Sequence, residues 1–176
     1  MSIIGVIVVI VAVLFVLGNI MGLKPKMSEV RVGDMRMFAR KIDLHPKLVA
    51  TPDWLRQYKE SRQDKQIGNH GMIAQYTVID DSWQLPAKRL LWTGGDWQNE
   101  DGVPVSVGMP PEPLLSYIQG LTTKANSITI YWYDEKYAKS FAIKDEQAMA
   151  IMEQDLLALK TFLQSVQNIN TPKSSH

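Results

Sequence analysis

The sequence predicts an α+β protein: an N-terminal transmembrane helix, then a small antiparallel-sheet domain with helices packed on one face. Three observations predict it. Residues 3–23 read IIGVIVVIVAVLFVLGNIMGL, with no charge and one strongly polar side chain, Asn19. Two later runs, 72–79 and 127–133, alternate as strands do. Residues 145–166 carry a wide apolar stripe at helical spacing, which needs a broad surface such as a sheet. The expected order is span, two helices, then hairpin–helix twice, a ββα-ββα arrangement.

The apolar run of twenty-one residues would reach ~30 Å at ~1.5 Å per residue, the thickness of a bilayer's hydrocarbon core. A cleaved signal peptide fits less well. Only Met1-Ser2 precedes the run, with no Lys or Arg, and no A-x-A-like site follows before Lys24. Lys24, Lys26, Arg31, Arg36, Arg40 and Lys41 all follow it, so the positive-inside rule predicts the N-terminus out and the domain cytoplasmic. The expected location is a bacterial inner membrane, crossed once. Gly18 and Gly22 are four apart, and with Phe15 and Asn19 they form a candidate contact face within the span. The partner expected there is another membrane protein or a second copy.

The chain has 176 residues, so the part after the span suits one domain. The expected boundaries are anchor 1–23, linker 24–33, domain 34–168 and tail 169–176. Nineteen Lys and Arg balance eighteen Asp and Glu, which argues against a nucleic-acid partner. The absence of cysteine excludes disulfides, thiolate metal sites and cysteine nucleophiles.

From Asp34 the pattern turns helical, with Met35, Phe38, Ala39 and Ile42 on one face and Pro46 as the stop. Thr51, Pro52 and Asp53 read as N-cap and first turn of a second helix that runs to about Gln66 and is polar beyond Tyr58. A strand over 72–79 sets Ala74, Tyr76 and Val78 opposite Ile73 and Thr77, and a turn at Asp80-Asp81-Ser82 follows. Residues 88–93 form another strand, ended by Gly94-Gly95. Two Gly and four Pro make 99–113 a loop. Leu114, Leu115, Ile118 and Leu121 predict a short helix over 113–121. The strand 127–133 is expected to turn through Asp134-Glu135-Lys136 and pair with 137–143. In the closing helix Ala148, Ile151, Met152, Leu156, Leu159, Phe162, Leu163 and Val166 form the apolar stripe.

Candidate chemistry is sparse. Thr93-Gly94-Gly95-Asp96 resembles the start of the diguanylate cyclase signature, but Trp97 and Gln98 stand where that family needs Glu and an aromatic. A two-glycine turn accounts for it. His45 and His70 lack the i, i+4 partner of a zinc helix. Asp80 and Asp81 point to opposite faces if extended. Tyr131 and Tyr133 share a strand face, and with Lys136, Lys139 and Lys144 they suggest a base-stacking platform; cross-strand packing accounts for them better. No metal, cofactor or catalytic residue is expected.

The stretch MRMFARKIDLHPKLVATPDWL resembles small single-span bacterial inner-membrane proteins of uncharacterised function, a family with no functional residues to carry over. The layout is similar to that of division-site anchors and translocon accessory subunits. The anchor-plus-domain layout and the lack of catalytic motifs point to a membrane-tethered, non-catalytic interaction module, an accessory or assembly subunit of an inner-membrane complex, whose anchor raises the local concentration of the domain. Asp96, Trp97, Val107 and Met109 are the candidate partner-binding loop residues. The alternative is a small-ligand sensor or enzyme with a site near the same loop, using Asp96, Trp97 and Trp92.

Overall fold

The structure, a computed structural model, describes residues 3–22, 27–56, 71–134 and 145–167, and side chains over 3–17, 29–56, 71–134 and 147–167. Seven strands form one antiparallel sheet: β1 (His45–Ala50), β2 (Met72–Ile79), β3 (Lys88–Trp92), β4 (Trp97–Gln98), β5 (Pro104–Val105), β6 (Ile118–Lys124) and β7 (Ser127–Trp132). Their spatial order is β1-β2-β7-β6-β3-β4-β5. The long helices are α1 (Ile3–Gly22), α2 (Met27–Lys41) and α3 (Asp145–Val166).

The transmembrane expectation is corrected here. Among the described residues no helix is long and apolar enough to cross a membrane. The described side chains of α1 cover 3–17, all exposed. The single-pass, inner-membrane and orientation readings rested on that span and fall with it. The ββα-ββα order is corrected too: among the described residues, the segment expected to close the first unit as a helix, 113–121, runs into a strand instead.

Strand alternation sends two sets of side chains to opposite faces. On one face Ala74, Tyr76, Val78, Leu90, Leu121, Ile128, Ile130 and Trp132 join Met35 and Ala39 of α2 and Met152, Leu156, Leu159, Phe162, Leu163 and Val166 of α3 in the main core. The stripe predicted for α3 is therefore buried from Met152 onward, but Ile151 is exposed and Asp155 is buried in its place. On the other face Leu55, Ile73 and Leu91 form a smaller cluster with Val49, Trp54, Tyr131 and Tyr133. A short helical turn at 53–56 supplies Trp54 and Leu55; the rest of the helix expected there lies outside the described residues.

Helix α2 begins at Met27, earlier than Asp34, and it ends before Pro46 acts. The Leu44 amide donates to the Ala39 carbonyl (2.9 Å) and the Asp43 amide to that of Arg40 (3.2 Å), with Asp43 at φ 56°. This left-handed cap satisfies the final carbonyls and buries Leu44 beside Ala39. Pro46 instead sits in the edge strand β1, where its missing N–H costs no ladder bond.

The helix expected over 113–121 is a three-residue 3-10 turn (Glu112–Leu114) followed by β6. Gly120, Thr122 and Thr123 suit a strand better than a helix, and a bulge between Ile118 and Gly120 resets the alternation. Strand β7 pairs with β6 through a two-residue turn at Ala125-Asn126 and with β2 on its other side. Both edges of β7 are thus taken. No edge remains for the partner expected at 137–143, which lies outside the described residues.

Candidate functional site

Behind the sheet, on the helix side, lies a polar clamp. Asp134, directly beyond β7, is 3% exposed. Its Oδ2 accepts from Arg36 Nε at 2.9 Å, lies 2.8 Å from a terminal guanidinium nitrogen, and accepts from the Tyr76 hydroxyl at 3.3 Å. Burial, and then the charge of Asp134, push the Tyr76 phenol far above its usual range. Burial opposes the charge on Arg36, but the adjoining carboxylate outweighs it and raises that group as well. Both donors hold their protons firmly, so the group fixes α2 against β2 and the end of β7 and is unsuited to proton transfer.

The opposite face carries the more accessible chemistry. His45 lies opposite Thr77, Thr77 opposite Thr129, Thr129 opposite Thr122, and Thr122 opposite Arg89. One polar row thus crosses five strands, and the Thr77 and Thr129 hydroxyls bond each other at 2.8 Å. The neighbouring row runs Lys47, Gln75, Tyr131, Gly120, Leu91 and Gln98, and on the far flank Lys124 pairs with Ser127. Strand positions of this face hold Lys47, Arg89, Lys124 and His45 and no Asp or Glu. Arg89 reaches outward to Glu100 at 3.0 Å. Trp54 covers the region of Gly120 and meets Tyr131 edge-on, with ring centroids 5.6 Å apart.

The predicted loop residues divide. Trp97 and Val107 belong to the main core, whereas Asp96 and Met109 are exposed. Trp97 stacks on Phe162 with ring centroids 6.2 Å apart and donates its indole N–H to the Gly108 carbonyl. Trp92 packs 5.1 Å from Trp97 and bonds the Leu115 carbonyl. Asp96 uses its carbonyl to accept from the Thr93 amide and hydroxyl, closing the β3–β4 turn. Asp96, Trp92 and Trp97 therefore do not converge on a common opening. Gly94, at φ 91°, supplies the left-handed residue of that turn.

Phe15 is 72% exposed on α1. Gly18, Asn19 and Gly22 continue the same helix, and their side chains lie outside the described set. Neither a family model nor a solved structure matches this chain. The site must therefore be read from its own residues. Among the described residues no group of three His, Asp or Glu is placed to hold a metal ion. His45 is exposed on β1, and His70 lies outside the described residues. Asp80 accepts from the Ser82 hydroxyl and amide, which hold its carboxyl below the usual range, while Asp81 accepts from Asn126 at 3.1 Å. Both serve turns.

The clamp and the polar row are what sequence reading missed. Asp134 stands 98 residues from Arg36, and nothing local marks it as buried. The row exists only through strand register, although the β-branched Thr77, Thr122 and Thr129 are a signal that pairing would have revealed.

Proposed function

We propose that this protein is a non-catalytic interaction module, an accessory subunit that engages a protein partner through α1. The observation that carries the reading is the surface of that helix. Its large side chains from Ile3 to Leu17 are 46–79% exposed and apolar on every side. Single proteins rarely expose contiguous apolar patches beyond a few hundred Å². A helix apolar all round is stable when covered all round. One facing helix would cover one side only, so the fitting occupant is a partner that packs several apolar helices about α1.

The absence of cysteine permits a single-cysteine scan over residues 3–17. The expected result is crosslinking to one protein species from every side of the helix, in fixed ratio, lost in Val9→Asp. Cysteines that crosslink to no protein, and whose attached fluorophores are quenched by brominated lipid instead, overturn the proposal.

A further inference from the structure

We infer that the polar face of the sheet, opposite the main core, docks an acidic segment of a protein, laid across the strands along the row His45–Thr77–Thr129–Thr122–Arg89. This goes beyond the α1 reading and does not depend on it, because the face and the helix are separate surfaces.

The chain as a whole is nearly balanced, at +1. On this face the strands place Lys47, Arg89 and Lys124, with His45, and no Asp or Glu; Arg89 is already paired with Glu100 of the following loop at 3.0 Å, so Lys47 and Lys124 carry the positive charge. Such a segregation in a neutral protein favours an anionic occupant. Between the cations lie half-buried Thr77, Thr122, Thr129 and Gln75, short groups that donate and accept hydrogen bonds without filling the face. The main core uses the other face, and Trp54 with Leu55 covers the part around Gly120.

Dimensions narrow the occupant. Five strands at ~4.8 Å spacing make the row ~19 Å long, which about six residues of extended chain would cover. A single-stranded nucleic acid is also anionic, but its binding sites rely on aromatic rings free to stack bases. Here Tyr131 and Trp54 are engaged with each other edge-on. Carboxylates on a flexible segment need only the cations and hydroxyls that the face supplies.

The test uses the full chain in a mild non-ionic detergent and fluorescence anisotropy of three labelled probes: hexaglutamate, hexalysine and a short oligothymidine. Hexaglutamate is expected to bind, weaken with added salt and lose about tenfold or more affinity in the double variant Lys47→Glu, Lys124→Glu. Both lysines are exposed, so circular dichroism should show an unchanged fold. Thr129→Val should weaken binding by a smaller factor. Absent hexaglutamate binding, binding indifferent to the charge reversals, or tighter binding of hexalysine or oligothymidine overturns the inference.

Discussion

Replacing Gly120 with Ala sets two opposing effects against each other, and the surroundings decide the sign. Alanine restricts the unfolded chain and would by itself stabilise by about 0.4–1 kcal/mol. In the fold, however, its Cβ would lie 2.9 Å from Trp54 Cη2, 3.0 Å from the Leu90 carbonyl oxygen and 3.2 Å from Leu55 Cδ1. Trp54 can swing away, but the Leu90 oxygen belongs to the backbone of β3 beside β6 and cannot. Overpacking of this kind costs about 1–3 kcal/mol, leaving a net loss of about 1–2 kcal/mol. With an m-value of about 1–3 kcal/mol/M, the urea midpoint should fall by roughly 0.5–1 M. Gly95→Ala is the control, because nothing lies within 4 Å of its added Cβ. A midpoint for Gly120→Ala equal to or above that of Gly95→Ala would refute the claim that β6 and the 53–56 turn approach this closely.

Two further outcomes are expected. Leu159→Ala should lower unfolding free energy by about 2–5 kcal/mol in the same assay, since the side chain is fully buried between α3 and the sheet; a loss under about 0.5 kcal/mol would place that face of α3 elsewhere. Tyr76→Phe should be less stable than wild type by about 1 kcal/mol at neutral pH, through loss of the bond to Asp134. Because the folded phenol is raised, its stability contribution is complete below the ordinary tyrosine value of 10.0 and declines above it. There the unfolded tyrosine ionises and the folded one does not, so the advantage over Phe should shrink by up to about 1.4 kcal/mol per pH unit. Parallel stability curves through pH 11 would contradict this.

Strands whose side chains carry a pattern were legible in the sequence. Ala74, Tyr76 and Val78 alternate with Ile73, and both sets are buried, each in its own cluster. The face of α2 was equally plain, with Met35 and Ala39 fully buried. Strand β1 was not legible because an edge strand needs no apolar face, and Pro46 reads as a stop signal. Strand β6 was hidden by Leu114, Leu115, Ile118 and Leu121, whose spacing imitates a helix until the bulge is known. The partner of β7 was sought downstream, although the two-residue turn at Ala125-Asn126 lies upstream. Trp97 and Val107 looked like surface residues because their loop is rich in Gly and Pro. Their burial depends on Phe162 and its neighbours on α3, far away in the chain.

Pro46 has a consequence for what this protein avoids. A sheet ends in a row of unpaired amides and carbonyls, which can recruit a strand from another molecule and begin a fibre. At the β1 edge one amide is missing at Pro46, and Lys47 beside it adds a charge that repels a second identical edge. At the opposite end, β5 is only two residues long, too short to template an addition. Among the described strands both ends of the sheet are thereby blunted against copying themselves, so concentrated protein should resist amyloid-like growth from its sheet even though α1 exposes apolar surface.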